Sequence, residues 1–393
     1  MATGRKRLLK HVRDEPPCES GTTPFRIACW PTDAGNPYQR LFYEALAAHG
    51  VQLISDANIR LSWLKSHAEH VDAIHLHWPE GLWRSRVFIL QLARLIRLWR
   101  FLRLARRLRI KTIWTVHNLE HHEGVKWIDR YGYRVLARKV DLVICHSKSA
   151  AVTLARRDLP KGQTVVMPHG TYEGIYAAPR LRSCVLRDLG LRDDLPTLCM
   201  VGQLRKYKGL DVAVDAVREL RGSVQLIIAG QPNPSGNIDG LRRAISSLPQ
   251  VALLDRFIER QEYADIVGSS DAVLLPYRKI TGSGALLAAW TLERGVVASD
   301  LDYFREMAKP EPDAAAFFPN GDAKALANAI RSYLARPLEL RRDAVRRLAA
   351  QYRWDRCVQP VAEVLQRWMQ SNSCRPKAFD IATCVLRKRQ TRR

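Results

Sequence analysis

Two successive series of short apolar runs, each broken by segments with helical spacing, constrain this chain more than any other feature. The first series comprises Phe25–Trp30, Ala73–Trp78, Thr112–Val116, Asp141–His146 and Thr164–Pro168. The second comprises Thr197–Val201, Val224–Ala229, Val251–Leu254, Ala272–Pro276 and Val296–Ser299, with helical segments at 209–220, 237–247, 284–293 and 323–335. Strands alternating with helices predict parallel sheets covered by helices on both faces. The first helix has a legible start: Asn36 suits the N-cap, Pro37 suits N1, and Gln39 at N3 predicts a capping box. Leu41, Phe42, Ala45 and Leu46 follow as one apolar stripe.

Residues 172–195 are irregular and rich in Arg and Asp, which places a boundary between two βα halves of similar size. The expected architecture is α/β: two Rossmann-like domains facing a central cleft, with a C-terminal helix crossing back to the first. The predicted divisions are a leader at 1–24, a first domain at 25–180, a second at 181–352, the crossing helix at 353–370 and a basic tail at 371–393. Ligands of such sheets bind at the carboxyl ends of the strands, so the cleft is the expected site.

Charge narrows the partners. Among 393 residues, 63 Lys and Arg stand against 39 Asp and Glu, a formal +24, which suits nucleic acid, an anionic membrane face or phosphorylated substrates. Eight scattered cysteines form no C-x-x-C pair, against a zinc site or a disulfide scaffold and in favour of a reducing compartment. The N-terminus lacks the apolar core of a secretory signal, and no uncharged apolar run is long enough for an ordinary span.

Three constellations carry candidate chemistry. AIHLHWPE (73–80) and TVHNLEHHE (115–123) put His75, His77, Glu80, His117, His121, His122 and Glu123 at or just beyond the ends of two apolar strands. The nearby histidines raise zinc as a reading, but without H-E-x-x-H or a cysteine partner no metal site is expected. GQLRKYKG (202–209) follows a strand and opens a helix, so Arg205, Lys206 and Lys208 lie where backbone N–H groups already favour an anion. It is no Walker A loop, since the spacing and the Mg-binding hydroxyl are wrong. Thr281-Gly282-Ser283-Gly284 precedes another helix, and with Arg205 and Lys208 describes two walls of one phosphate pocket.

Residues 84–111 carry ten Arg or Lys and no acid, interleaved with Leu, Ile, Val, Phe and Trp99. They read as a solvated helix face, a nucleic-acid arm or a membrane-surface helix. Arg94, Arg97, Arg100 and Arg103 recur every three residues, so their charge spirals around a helix. Long Arg side chains can still reach headgroups while Leu92, Ile96, Trp99 and Leu102 insert, and no RRM, KH or zinc-finger pattern supports nucleic acid. The membrane-surface reading is favoured.

Paired βα halves, the G-x-L-x-x-x-K-G turn and the Gly-rich loop before VVAS resemble the GT-B glycosyltransferases. NPYQRLFYEAL (36–46), HLHWPEGLWR (75–84), TVHNLEHHE (115–123), LRKYKGLDV (204–212) and LPYRKITGSGALLAAWTLERGVVAS (275–299) are similar, in the same order, to the GDP-mannose:glycolipid 4-β-mannosyltransferases of xanthan-type exopolysaccharide assembly. Large retaining GT-B families carry two glutamates eight positions apart before the VVAS-type strand. Ile280 and Ala288 stand there, so the usual ribose-binding glutamate is missing. The resembled β-mannosyltransferases lack the pair as well, which supports inversion.

The resemblance implies that Arg205 and Lys208 neutralise the donor diphosphate, that Ser283 and Gly284 add hydrogen bonds, and that His117 reaches the donor sugar. It also implies that no metal or other cofactor takes part. Inversion needs a base on the acceptor hydroxyl, with Glu123 and Glu80 the candidates and Asp33 third. The implied acceptor is a polyprenyl-diphosphate oligosaccharide at the cytoplasmic face of the inner membrane. There Arg94, Arg97, Trp99, Arg100, Leu102 and Arg103 would hold a peripheral enzyme on anionic lipid, without nucleic acid as a partner. A UDP-sugar donor, or a non-catalytic binding protein of this fold, are the alternatives.

Overall fold

A computed structural model describes residues 23–33, 36–54, 57–118, 127–158, 160–234 and 236–373. Most of the predicted leader and tail, with Glu123, His121 and His122, lies outside the described residues. Among the described residues, twelve strands form two six-stranded sheets. The first holds β1 (Phe25–Trp30), β2 (Val51–Ile54), β3 (Ala73–Leu76), β4 (Lys111–Val116), β5 (Leu142–Cys145) and β6 (Gln163–Val166), in the order β2-β1-β3-β4-β5-β6. The second holds β7 (Thr197–Val201), β8 (Gln225–Ala229), β9 (Val251–Leu254), β10 (Ala272–Leu275), β11 (Val296–Ser299) and β12 (Ala315–Phe318), in the order β12-β11-β10-β7-β8-β9.

Every pairing is parallel. Strands buried on both faces need no polar alternation, which is why β3, β5, β7, β8, β10 and β11 read as unbroken buried runs. Strand order reverses between β1 and β3 in one sheet and between β7 and β10 in the other. These are the switch points where open α/β sheets bind ligands.

The edge strands β2 and β12 escape the sequence reading. VQLI is four residues long and half open to solvent, and AAFF begins with two alanines, which have little strand preference. The capping box is also corrected. Asn36 Oδ1 does accept the Tyr38 N–H at 3.0 Å, but Gln39 reaches past the cap. Its amide donates to the Pro31 carbonyl at 2.8 Å and accepts the Asp33 N–H at 2.8 Å, pinning the loop after β1.

Apolar, aromatic and polar contacts tie the two halves together. The helix Gln359–Ser373 returns to the first sheet, burying Val361, Ala362, Val364 and Leu365 among Phe25, Ile27, Phe42 and Ile144. Trp354 opens this return and packs against Gly170, Tyr38 and His169. Glu306, on the helix Asp302–Ala308, accepts the Lys148 N–H at 2.6 Å and the Ser149 N–H at 3.1 Å, at the start of the helix Lys148–Asp158.

A Cβ at Gly170 would overlap the Trp354 indole. Gly170→Ala is therefore expected to displace Trp354 and destabilise the chain by roughly 1–3 kcal/mol, the usual cost of overpacking. Urea unfolding checks this; an unchanged midpoint would mean that Trp354 does not anchor the return.

Candidate active site

The loops after β7 and β10 meet at the second switch point. Gly209 has φ 68°, and a Cβ there would collide with the Pro276 carbonyl, so glycine is what lets the two loops touch. Residues Lys206–Lys208 form a 3-10 turn that folds Lys208 back beneath Gly202. Lys208 is half-buried, its ammonium 5.8 Å from the centre of the Tyr277 ring. Burial, then the positive charge of Arg205, pulls its pKa down to about 8. Arg205 donates from Nε to Gln203 Oε1 at 2.8 Å. Neither cation forms an ion pair with a carboxylate among the described residues, whereas nearby Arg278 pairs with Asp211. Two cations kept together at a switch point, with no carboxylate partner among the described residues, are chemically suited to an anion.

On the opposite wall Ser283 is buried and its Oγ accepts the Leu286 N–H at 3.2 Å, capping the helix Gly284–Thr291. One of its lone pairs is thereby spent on the helix end. Gly284 leaves room for Tyr172, whose hydroxyl would lie 2.7 Å from a Cβ at that position. Tyr172 also donates its N–H to Thr291 Oγ1 at 2.8 Å.

The first sheet faces this loop pair with histidines. His77, His117 and His146 each occupy the position directly after their strand, β3, β4 and β5, and His169 follows β6 by three residues. His77 Nδ1 and His117 Nε2 lie 2.9 Å apart, and the Trp78 ring stacks on His117 at 4.1 Å. His75, behind them on β3, is held between the Tyr43 hydroxyl and Thr115 Oγ1, both at 2.8 Å. His146 Nδ1 lies 2.9 Å from the Met167 carbonyl, and His169 Nδ1 2.6 Å from that of Gly170. The Tyr38 ring touches His77, His117, His146 and His169, with centroids 4.9–5.8 Å away.

Burial disfavours the imidazolium throughout this group. It lowers His75 and His169 to about 3 and His146 to about 4, and it takes His77 and His117 well below the ordinary histidine value. The cluster is therefore a row of neutral imidazoles, suited to hydrogen-bonding hydroxyl groups. Among the described residues, no group of three or more His, Cys, Asp or Glu could hold a metal ion.

The sequence reading found His75, His77 and His117 but not His146, His169 or Tyr172. The rule that exposed His117 would have found His146 too, since it also stands one residue beyond an apolar strand. Glu80 sits in the 3-10 turn Pro79–Leu82 and accepts a hydrogen bond from the Tyr133 hydroxyl. Next to it Asp129 accepts from the Trp83 indole at 2.9 Å and forms an ion pair with Arg84 at 2.6 Å. Glu80 thus helps brace the turn to the helix Trp127–Lys139. Asp33 is exposed on the loop after β1, and Glu123 lies outside the described residues.

The basic segment forms the helix Phe88–Arg107. Arg97, Trp99, Arg100 and Arg103 are exposed, with the Arg103 guanidinium 5.2 Å from the Trp99 ring. Leu102 is a correction: it is only 2% exposed and packs in the core with Leu98, Phe101 and Ala105, so it cannot insert into lipid. Arg94 is half-buried and turns a guanidinium N–H inward to the Arg84 carbonyl. The exposed apolar side chains are instead Phe88, Ile89, Leu90, Leu92 and Ile96, joined by Trp127, whose ring lies 5.2 Å from Phe88.

The two facing parallel sheets have the GT-B fold, and the comparisons support a glycosyltransferase. Residues 195–336 match the family model described as "Glycosyl transferases group 1". The chain is similar to sucrose-phosphate synthase from Thermosynechococcus elongatus, at TM-score 0.66 and 18% identity, over 88% of this chain and 100% of that one. It is also similar to Anabaena HepE, solved in complex with UDP and glucose, at TM-score 0.66 and 15% identity, over 87% of this chain and 100% of that one. The particular likeness is to mannosyltransferases: the chain is 28% identical over 266 residues to a GDP-mannose:glycolipid 4-beta-D-mannosyltransferase of Xanthomonas campestris pv. campestris, covering 67% of this chain and 69% of the relative.

The histidine row has a consequence for stability. Unfolded histidines titrate near pH 6.5, whereas these stay neutral down to about pH 3–4 in the folded chain. Below about pH 6.5 the unfolded state therefore binds more protons, and stability falls as pH falls, by up to about 1.4 kcal/mol per pH unit per histidine. Urea midpoints should drop steeply between pH 7 and pH 5 and recover on return. Equal midpoints at the two pH values would mean that the imidazoles are not buried in neutral form.

Proposed function

We propose that this protein transfers mannose from GDP-mannose to a polyprenyl-diphosphate-linked oligosaccharide, with inversion, in exopolysaccharide synthesis. The observation that carries the reading is the pairing of Arg205 and Lys208, without a counterion, across the cleft from neutral histidines. The cations suit a departing nucleoside diphosphate, because they stabilise charge that grows as the bond to the sugar breaks. The imidazoles, His117 first, suit the hydroxyls of the transferred sugar, and Gly284 lets the Tyr172 hydroxyl approach the start of the helix Gly284–Thr291. The names of the Xanthomonas relatives support GDP-mannose and a glycolipid acceptor. UDP in the HepE complex keeps a UDP-sugar as the competing donor.

A transfer screen across GDP- and UDP-sugars, with a membrane lipid extract as acceptor, tests the reading. Mannose transfer from GDP-mannose is expected. Transfer only from a UDP-sugar would replace the donor, and transfer from none would remove the enzyme reading. In the same assay Lys208→Ala and Arg205→Ala should each lower kcat/KM about 100-fold or more, roughly 2.7 kcal/mol, while EDTA leaves the rate unchanged. Near-normal transfer by the double variant would sink the diphosphate assignment.

A membrane surface supplies the acceptor in this reading, at the cytoplasmic face and without a span. No described helix is long and apolar enough to cross a membrane. The helix Phe88–Arg107 starts at the carboxyl end of β3, so its exposed half, with Phe88, Ile89 and Ile96, borders the cleft side of the first sheet. Apolar side chains flanked by Arg97, Arg100 and Arg103 match an anionic lipid surface, each arginine worth about 1 kcal/mol there. Vesicles containing anionic lipid should bind the protein, release it in high salt, and bind Phe88→Ser/Ile89→Ser weakly. Equal binding to neutral vesicles would contradict the electrostatic part.

A further inference from the structure

Among the clustered imidazoles, His146 alone combines a fixed proton with a free lone pair. A carbonyl oxygen can only accept, so the contact to Met167 at 2.9 Å puts the proton of neutral His146 on Nδ1. Nε2 is then a bare acceptor. It is buried and has no hydrogen-bond partner among the described residues, in a residue that is 2% exposed. His169 shares the tautomer but meets the Tyr172 hydroxyl at 3.3 Å, and the His77–His117 contact leaves its own proton open to either ring.

The direction of that lone pair matters. Cδ2, the ring carbon bonded to Nε2, lies 4.0 Å from where a Cβ of Gly282 would lie, in the loop after β10. A first-domain imidazole therefore meets the glycine-rich loop of the second domain with Nε2 one bond from the contact, at the seam between the two sheets. An unsatisfied buried acceptor carries a cost of about 1–3 kcal/mol, and a ligand hydroxyl would relieve it.

We infer that His146 Nε2 takes the proton of the acceptor hydroxyl during transfer. The inference rests on the glycosyl-transfer reading above. The acceptor oxygen bonds to the anomeric carbon as the bond from that carbon to the diphosphate oxygen breaks. The electron pair of the broken bond leaves with the diphosphate, against Lys208 and Arg205. The acceptor's proton moves to Nε2, and the resulting imidazolium later returns it to water. The titratable groups packed around His146 are Tyr38 from the helix Pro37–Ala47, His117 after β4 and His169 after β6, with His75 and His77 behind them. Burial keeps His146 neutral, with a pKa of about 4, and a bound diphosphate across the cleft would raise its basicity.

Two variants of the full chain separate this role from a packing role. His146→Asn keeps an N–H for the Met167 carbonyl and removes the basic nitrogen. His146→Gln places an amide near the Nε2 position, again without a base. Transfer is measured with GDP-mannose and UDP-glucose and a membrane lipid extract, and nucleotide affinity is measured by titrating GDP and UDP. Turnover is expected to fall about 100-fold or more in both variants, with nucleotide affinity staying within about threefold of the wild type. Turnover within about threefold of the wild type in either variant overturns the role and returns the base to a carboxylate such as Glu123 or Glu80. Loss of nucleotide binding in both variants overturns it too, since His146 would then be structural. A wild-type chain that transfers no sugar from either donor removes the glycosyl-transfer reading, and this inference falls with it.

Discussion

Every strand in both sheets runs parallel to its neighbours, so all the strand-to-helix loops of a sheet emerge at one edge. The rest of the structure depends on holding those two edges face to face. The helix Gln359–Ser373 does much of this, because burying Val361, Ala362, Val364 and Leu365 on the first sheet fixes the end of a chain that has just left the second. Trp354 couples the return to the site itself, since its indole packs on Gly170 and lies 5.4 Å from His169. Glu306 adds a polar tie at the start of the helix Lys148–Asp158, two residues beyond His146.

The two faces are chemically unlike. One carries imidazoles made neutral by burial, and the other carries Arg205 and Lys208, where burial and then mutual repulsion lower the ammonium pKa. A site for an uncharged sugar joined to a charged leaving group needs this division. Neutral groups bind hydroxyls without competing for the diphosphate, and cations stabilise the charge that develops on departure.

Much of this was legible in the sequence, for a definite reason. Strands buried on both faces are continuous apolar runs, so their ends are visible, and a polar residue just past such a run marks the functional edge. His77, His117, Arg205, Lys208 and the Thr281–Gly284 loop were found in that way. His146 and His169 obey the same geometry but follow runs that carry no familiar motif. Leu102 was misplaced because charge that spirals around a helix hides which face is buried; the contacts of Leu98, Phe101 and Ala105 settle it. The tie between Glu80 and Tyr133 spans 53 residues and has no local signature.

The most direct test of the account is the titration of Lys208 followed by NMR on its side-chain carbon, with and without a nucleoside diphosphate. In the free protein the ammonium should titrate near pH 8, because it is half-buried beside Arg205 and has no carboxylate partner among the described residues. A bound diphosphate should move that titration upward by about a unit or more, as an opposite charge within reach does. An ordinary lysine titration in the free protein, or a midpoint unmoved by saturating GDP and UDP alike, would contradict the claim that this cleft is built to hold a departing diphosphate.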